Sequence, residues 1–521
     1  MAAARDRAGR APRAALLDRL AALAPRLLVV AIVLWVAVLF AASFFKYETY
    51  GQGYDQVDFE QAIWNTVQGR PMEDSRFNFT WSVFGMDWMP MLLLFVPAYA
   101  LLPSAHTLFF LQILGASLGA IPVYWLARDR LGSKLAGLGL GVAYLLYPVV
   151  LHGVLNPFQV RLFSVSLLLF AFYYFERGNW KLFYACVLLA MLARTDVAFV
   201  VAMFGVYALL TRRGWPWAAG PLALGAVYFV LSTAIAQSFA YPGAFEPPAG
   251  PVDDPMQCWP CGINPQLAYY AHLGSSAPEI VGYIVTHPFE VARLVFTPEK
   301  MWYVASLLIP LGLLPVLSAR PLVLGLPVLA LNLLSDRSAQ YDYEHHYSLL
   351  LVPGLMAAAV YGAGNLSGWL ARRGNTVKAA LWVAMGLVVW GLAMQVPFKN
   401  PAVRAFLYPE PAERVAAANR LVAMVLPEAK VAASSKLAPH LLPRRYIYNF
   451  PPAPYSPYNL GPRQREDYVE LDYVLVDSAA SALDVPGNAL GGQSALDVLT
   501  GLPEWKLVNE EAGLALYRRE P

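Results

Sequence analysis

Long apolar runs separated by short polar breaks dominate the chain. Crossing a bilayer takes about 20 predominantly apolar residues. Eleven runs meet or approach that length: 27–45, 105–127, 135–152, 158–175, 181–194, 196–211, 217–237, 301–318, 320–335, 347–370 and 379–397. A further run at 88–103 is short and carries three prolines, so we expect a juxtamembrane or re-entrant helix there. The pattern predicts a mainly α-helical, polytopic membrane bundle with about 11 transmembrane helices.

The chain after about residue 399 follows a different pattern. Short runs typical of strands occur at 430–434, 444–450, 472–478 and 514–520, around a helix-like stretch at 410–426. We therefore expect a small soluble α/β domain at 399–521, after a basic N-terminus at 1–26 and a transmembrane domain at 27–398.

The composition agrees with a membrane protein. Hydrophobic residues make up 58% of the chain and charged residues 14%, whereas a soluble domain has about 25% charged residues. The formal net charge is only +3, and the basic residues form short clusters rather than one extended patch. The expected partner is therefore the lipid bilayer, and nucleic acid is not an expected partner.

The basic clusters also predict an orientation, because Lys and Arg in short loops stay on the cytoplasmic side. If the first span runs outward as a retained anchor, the clusters at 5–26, 128–134, 177–181, 212–213 and 372–378 all fall inside. The N-terminus is then cytoplasmic, in the inner or plasma membrane. Loops 46–104 and 238–300 and the C-terminal domain are extracytoplasmic.

Two of the three cysteines, Cys258 and Cys261, form the sequence CWPC in the second outer loop. An extracytoplasmic location permits a disulfide between them. A thiol redox pair and half of a metal site are the alternatives, although zinc takes about four ligands and only His272 is near in sequence.

Three carboxylates, Asp55, Asp58 and Glu60, lie within six residues at the start of the first outer loop. Asp58 could cap a helix that begins near Phe59, with the side chain of Gln61 bonding back to Asp58 as in a capping box. Glu60 would then be solvated. If the helix begins earlier, Asp55 and Asp58 share one face. A carboxylate pair at a membrane surface suits general-base catalysis or cation binding.

Other polar residues fall at the same predicted boundary. Ionisable groups at membrane depth are costly and usually face a cavity or one another, so we expect these residues to converge. Structural alternatives stay open: Arg194 and Asp196 could form an ion pair at a tight outer turn, Asn156 could cap a helix, and residues 342–347 could form a solvated loop. The residues are Asp87, His152, Asn156, Gln159, Arg161, Arg194, Asp196, Asp336, Arg337, Asp342, Glu344, His345, His346 and Tyr347.

Several short motifs resemble those of a known family. Five motifs occur here in the order found in a family of predicted bacterial membrane proteins of unknown function. They are YDQVDFEQAIWNTVQGR, MDWMPMLLLFVPAYALLPS, ARTDVAF, EHHYS and SSKLAPHLLPRRYIYNFP. That family is related to the GT-C superfamily, integral-membrane glycosyltransferases that use polyprenyl-phosphate sugars. The likeness covers most of residues 50–480. Three residues differ from those usual at the same positions of the family: Trp88, Thr195 and Asn156. These differences weaken the case for a metal site with two carboxylates.

The resemblance implies a GT-C-like fold and transfer of a sugar from a polyprenyl-phosphate carrier to an extracytoplasmic acceptor, such as a cell-envelope glycan, lipid or protein. It places the catalytic group at Asp55, with Asp58 second. We assign the donor phosphate to Arg194, with His345 and His346 assisting it or holding a divalent cation, Mg or Mn, together with Asp55 or Asp87. The other cavity candidates are Glu60, Asp87, Asn156, Arg161, Asp196 and Tyr347. A transporter or flippase and a non-catalytic envelope scaffold are the alternative functions.

Overall fold

The computed structural model describes residues 2–75, 80–240, 267–372, 378–450, 471–478 and 495–520. Cys258 and Cys261 lie outside the described residues, so the expected disulfide stays a prediction. Most of the described chain is helical, and one five-stranded sheet lies near the C-terminus.

The α-helices are joined by tight turns and short 3-10 helices. The bounds of the first twelve are α1 Ala2–Glu48, α2 Asp55–Val67, α3 Val83–Met86, α4 Val96–Leu101, α5 Ala105–Ser117, α6 Ala120–Leu131, α7 Lys134–Leu145, α8 Pro148–Leu155, α9 Arg161–Glu176, α10 Trp180–Met191, α11 Val197–Leu210 and α12 Trp215–Gln237. The others are α13 Ala277–Thr286, α14 Pro288–Val295, α15 Pro298–Leu308, α16 Leu326–Leu334, α17 Val352–Ala371, α18 Ala379–Ala393, α19 Pro401–Leu407, α20 Ala412–Met424 and α21 Ala495–Gly501. Three 3-10 helices recur below: Pro90–Leu94, Arg320–Gly325 and His346–Leu351.

Four helical segments of the described chain are long and apolar enough to cross a bilayer, namely Arg19–Glu48, Ala105–Leu131, Trp215–Gln237 and His346–Ala371. The pair α7 and α8, bent by 46°, forms a fifth if it counts as one span, and five apolar helices are shorter. Several of the eleven expected runs are therefore divided. Proline is the reason at Pro148, because its ring cannot continue the helix that ends at Leu145.

The run at 88–103 behaves as its prolines predict. It forms the 3-10 helix Pro90–Leu94 followed directly by α4, which together are too short to span a bilayer. The core of the bundle is built from large aromatic side chains, among them the fully buried Phe172, Phe175, Phe183 and Phe204. Apolar side chains on α1 and α12 are exposed instead, which suits a surface that faces lipid.

The C-terminal sheet has the strand order β2-β1-β3-β5-β4. Its strands are β1 Val431–Ala433, β2 Ile447–Asn449, β3 Tyr473–Asp477, β4 Trp505–Glu511 and β5 Leu514–Arg519. β1 is parallel to β2 and β3, whereas β5 is antiparallel to β3 and β4. The four predicted strand runs and the helix at 410–426, which is α20, are confirmed. β4 was missed because it is a mostly exposed edge strand of mixed polar sequence.

The C-terminal sheet unit is fastened to the last turn of α1 and to the residues that follow it. The hydroxyl of Tyr47 donates to the carbonyl of Pro439 at 3.0 Å. The ring of His440 lies against Tyr47 and Tyr50, with centroid separations of 4.4 and 3.8 Å. Burial lowers the pKa of His440 to about 4, so this ring stacks as a neutral group at neutral pH. The contact fixes the chain just before Asp55.

Candidate functional site

Charged residues from four distant parts of the chain meet at one end of the bundle. Arg161 is the first residue of α9, and Arg194 and Asp196 lie in the turn between α10 and α11. Asp87 precedes the 3-10 helix Pro90–Leu94, and His346 begins the 3-10 helix His346–Leu351. We use the name arginine cluster for Asp87, Arg161, Arg194, Asp196, Arg337, His346 and Tyr347.

Arg194 is held by two carboxylates within this cluster. Its Nε lies 2.6 Å from Oδ2 of Asp87 and 3.7 Å from Oδ2 of Asp196. The backbone N–H of Thr195 donates to the other oxygen of Asp87 at 3.2 Å. The tight turn between α10 and α11 is thus fastened to the residue that precedes the proline-rich helix, and Arg194 has a structural ion pair.

Arg161 is paired less completely. Its side chain is 6% exposed, and its Nη2 pairs with Oδ2 of Asp196. Its Nε and Nη1 are buried and have no hydrogen-bond partner among the residues that the structure describes. The guanidinium carbon lies 5.6 Å from the ring centroid of Tyr347. Because a buried donor without an acceptor costs about 1–3 kcal/mol, these two N–H groups are suited to an anionic ligand.

The arginine cluster brings three guanidinium groups together. Arg161 and Arg194 pair with the carboxylates of Asp196 and Asp87, and the guanidinium carbon of Arg337 lies 5.7 Å from the ring centroid of Tyr347. Guanidinium groups in a partly buried site attract anions and hold phosphate oxygens in two-point geometry.

The expected divalent cation does not fit the described residues. No group of three His, Cys, Asp or Glu side chains among them is arranged to hold a metal ion. Arg161, Arg194 and Arg337 all act electrostatically on His346, so a dication there would meet three positive charges. His345 instead lies 3.1 Å from Asp342, and its side chain is 49% exposed. We therefore derive no step through a metal.

The first turn of α2 carries the two expected catalytic carboxylates. The helix begins at Asp55, so the interpretation of Asp58 as the cap of a helix beginning near Phe59 is wrong. Gln61 does not reach back either, because its side chain donates to the carbonyl of Arg445 at 2.6 Å. Asp55 is half-buried and Asp58 is buried. Carboxylates in a first helical turn are stabilised by the helix dipole.

Contacts on both sides fix the position of this turn. The backbone N–H of Tyr54 donates to Oγ of Ser435 in the C-terminal sheet unit at 3.1 Å. The side-chain oxygen of Gln56 accepts from the backbone N–H of Phe158 at 2.9 Å. Phe158 lies in the loop that leads into Arg161. Asp55 therefore lies between the C-terminal unit and the loop that enters the arginine cluster.

Glu60 is buried, so the interpretation that it is solvated is wrong. It is only 4% exposed, and it accepts hydrogen bonds from Nε2 of Gln56 at 3.1 Å and from the hydroxyl of Tyr99 at 3.0 Å. These bonds join α2 to α4. Burial without a cationic partner in the described chain raises the pKa of Glu60 to about 7.

Glu60→Gln is expected to remove a pH dependence of stability. The pKa of Glu60 in the folded state lies above the ordinary glutamate value of 4.5, so the folded state binds more protons than the unfolded state between about pH 4.5 and 7. The free energy of unfolding therefore falls as pH rises through that window. Above pH 7 the amide variant should be more stable by about 3 kcal/mol at most. Thermal unfolding at several pH values measures this. Glu413→Gln, at an exposed position of α20, is the control, and equal pH slopes for wild type and Glu60→Gln would contradict the assignment.

An apolar cavity of about 130 Å³ lies between α15, the 3-10 helix Arg320–Gly325, α16 and the start of α17. Its lining is almost entirely leucine and valine, and it includes Leu351. Leu351 ends the 3-10 helix that His346 begins. At a rise of about 2 Å per residue, this helix links the arginine cluster to the apolar cavity over roughly 10 Å.

The structure therefore gathers seven of the expected residues: Asp87, Arg161, Arg194, Asp196, Arg337, His346 and Tyr347. Asn156 and His345 line a separate cavity instead, together with Lys46 and Arg404, which sequence reasoning missed. One signal for Lys46 was available. It is a basic residue at the predicted outer end of the first span, where the positive-inside rule makes Lys and Arg uncommon.

Comparison with solved structures shows the fold. A crystal structure of ArnT from Cupriavidus metallidurans bound to undecaprenyl phosphate has a TM-score of 0.55 and 14% sequence identity, covering 93% of this chain and 97% of that chain. The apo crystal structure of the same protein gives 0.52 and 13%, with the same coverage. At this identity the likeness shows the fold, and that fold supports a polytopic membrane bundle.

No curated protein matches the sequence. The profile of one family, described as a predicted membrane protein family, DUF2079, matches residues 47–516, which is most of the chain. This range includes α2, the arginine cluster and all of the C-terminal sheet except the end of β5. The chain therefore belongs to the predicted membrane protein family DUF2079.

Proposed function

We propose that this chain is an integral-membrane glycosyltransferase that moves a sugar from a polyprenyl-phosphate carrier to an extracytoplasmic acceptor. The observation that carries the proposal is Arg161, a buried arginine with two donors that lack an acceptor in the described chain. An apolar cavity lies one short helix away. The similarity in fold to a protein bound to undecaprenyl phosphate supports the same class of ligand.

In this proposal the arginine cluster binds the phosphate of the donor. A sugar joined to a polyprenyl phosphate is a phosphodiester with one negative charge, and guanidinium groups bind such an anion through charge-assisted hydrogen bonds. Arg161 supplies the open donors, while Arg194 is held in place by Asp87 and adds charge. The lipid chain enters the apolar cavity near Leu351, where burial of each methylene contributes about 0.8 kcal/mol.

Asp55 then acts as the general base. It accepts the proton of an acceptor hydroxyl while the hydroxyl oxygen bonds to the anomeric carbon. The bond between that carbon and the phosphate oxygen breaks, and its electron pair leaves with the phosphate. No general acid is needed, because the leaving group is a phosphate monoester. Its charge rises to about two, so Arg161 and Arg194 interact more strongly with the product phosphate than with the donor, which favours the transition state.

We also propose an orientation. The end of the bundle that bears the arginine cluster faces the extracytoplasmic side, with the N-terminus in the cytoplasm and the C-terminal α/β domain, 399–521, outside. The distribution of Lys and Arg along the chain supports this orientation. About eleven crossings then include broken and short helices such as the bent pair α7 and α8.

Release of labelled sugar from synthetic polyprenyl-phosphate sugars by the purified full-length protein tests the function. We expect release that depends on protein and is inhibited by undecaprenyl phosphate. If no sugar is released from a broad donor panel and undecaprenyl phosphate does not bind, the transferase proposal fails. Uptake of the same lipids or of small anions by proteoliposomes would then separate a transporter from a scaffold.

A further inference from the structure

A polar cavity of about 360 Å³ lies where the end of α1, the end of α8, α19 and the C-terminal sheet unit meet. We call it the lysine cavity. Its lining includes Lys46, Asn156, Glu344, Arg404, Glu410 and Lys436, and it contains no member of the arginine cluster. The proposed donor site therefore leaves this cavity unexplained.

Lys46 is the least compensated charge in the lysine cavity. Its ammonium group donates to the carbonyl of Leu155 at 2.7 Å, and no described carboxylate forms an ion pair with it. The nearby charges that act on it are the cations Arg404 and Lys436. Since an ammonium group has three donors, the single bond to Leu155 leaves room for an anionic acceptor.

The carboxylates of the cavity interact with other cations. Glu344 lies 3.2 Å from Lys399 and 3.4 Å from Arg404. Glu410 lies 2.6 Å from Lys436. Among the lining residues that are described, three cations face two carboxylates, so one positive charge is left over beside Lys46. Placing an unpaired charge in a partly buried site is unfavourable unless an anion accompanies it.

The surroundings of the cavity are suited to an amphiphile. Pro401, Arg404 and Ala405 of α19 line the cavity. Other α19 side chains are exposed and apolar, with Phe406 45% and Leu407 65% exposed. Because α19 follows closely after α18, one of the short apolar helices, such a two-sided helix fits the membrane interface, where a charged head group and an apolar chain lie side by side.

We propose that the lysine cavity binds the phosphate group of an anionic acceptor, with Lys46 as its principal contact. The phosphate site is argued from Lys46 and its neighbours, whereas its role for the acceptor rests on the proposed function. Gly51 lines the cavity four residues before Asp55, and Asn156 lines it five residues before Arg161. The two chain segments that form the cavity thus lead to the proposed base and to the proposed donor site.

A simpler role for Lys46 is to cap the C-terminus of α8, since Leu155 is the last residue of that helix. Capping accounts for one donor. It does not account for the two further cations gathered around the same ammonium group. The variants below separate these roles, because Arg404 makes its described hydrogen bond to Glu344 and none to α8.

Native mass spectrometry of the purified full-length protein measures the binding, with phosphatidylglycerol, phosphatidylcholine of the same chains and inorganic phosphate as probes. Wild type should bind phosphatidylglycerol at least about tenfold more tightly than phosphatidylcholine, and Lys46→Met and Arg404→Gln should each lose about that factor, as expected for one charge-assisted hydrogen bond. Competition by inorganic phosphate would indicate that a soluble phosphorylated acceptor can occupy the site. Binding of the lipid without such competition would indicate a lipid acceptor.

Undecaprenyl phosphate, measured on the same variants, keeps this inference separate from the proposed function. Lys46→Met should keep the wild-type affinity for undecaprenyl phosphate, whereas Arg161→Gln should bind it more weakly. For phosphatidylglycerol, Lys46→Met should bind more weakly and Arg161→Gln should keep the wild-type affinity. Equal binding of the two phospholipids by wild type, or unchanged phosphatidylglycerol binding in both Lys46→Met and Arg404→Gln, would overturn the phosphate site. If wild type does not bind undecaprenyl phosphate, the donor site is overturned and the phosphate site in the lysine cavity is not affected.

Discussion

Asp55→Asn is expected to lower the rate of sugar transfer by about a hundredfold or more, while undecaprenyl phosphate still binds. A positioned general base contributes about 10²–10⁴-fold to the rate, and an amide of the same shape cannot accept the proton. The structure supports this residue because it is half-buried in the first turn of α2, between Ser435 and the loop that enters the arginine cluster. Initial rates of label release and binding of undecaprenyl phosphate are the two measurements.

Asp58→Asn is the matched variant for that experiment. It changes a carboxylate in the same helical turn, one that is buried rather than half-exposed, and we expect a smaller loss of rate. A large loss in Asp58→Asn with little loss in Asp55→Asn would move the base to Asp58. If both variants kept more than about a tenth of the wild-type rate, neither carboxylate would be the base.

Arg161→Gln is expected to weaken donor binding by about a hundredfold. Two charge-assisted hydrogen bonds to a phosphate are lost, each contributing roughly 1.5 kcal/mol or more. Asp196 keeps a cationic neighbour in this variant, since Arg194 lies 3.7 Å from it. The fold should therefore survive. The dissociation constant of undecaprenyl phosphate and the KM for the labelled donor are the quantities to measure.

Arg161→Lys distinguishes charge from geometry. It keeps the positive charge but cannot bind a phosphate through a planar fork, so we expect intermediate affinity. Arg130→Gln is a control, because Arg130 lies in the last turn of α6, where it contacts the ring of Tyr361. Unchanged donor affinity in Arg161→Gln, or an equal loss in Arg130→Gln, would rule out Arg161 as the phosphate contact.

Part of the site could be predicted from the sequence. Charged residues are costly in apolar surroundings, so polar residues at the ends of several apolar runs were expected to converge, and Asp87, Arg161, Arg194 and Asp196 do so. Their relative roles could not be predicted. Arg194 was the expected phosphate ligand, yet it has two carboxylate neighbours, while Arg161 keeps two open donors.

Two further residues show that burial could not be predicted from the sequence: Glu60 and Lys46. Glu60 follows two other acidic residues closely and could be read as part of a polar surface, but it is buried against Gln56 and Tyr99. Lys46 lies at the end of an apolar span, and it was not predicted as part of a site. In the structure it lines a cavity together with residues of α8, α19 and the C-terminal unit. Burial and pairing depend on contacts between segments that lie far apart in the chain.

The sequence by itself determined that this is a helical membrane protein with a C-terminal α/β unit. Long apolar runs are stable only in a non-aqueous solvent such as a bilayer. The spacing of apolar residues that distinguishes strands from helices is a property of residues close together in the chain. It also determined the family, through short motifs in a fixed order. Only the tertiary structure decided where the apolar runs break, which arginine keeps open donors and that a second cationic cavity exists. Those features depend on which side chains from distant segments meet, and a local pattern does not encode those distances.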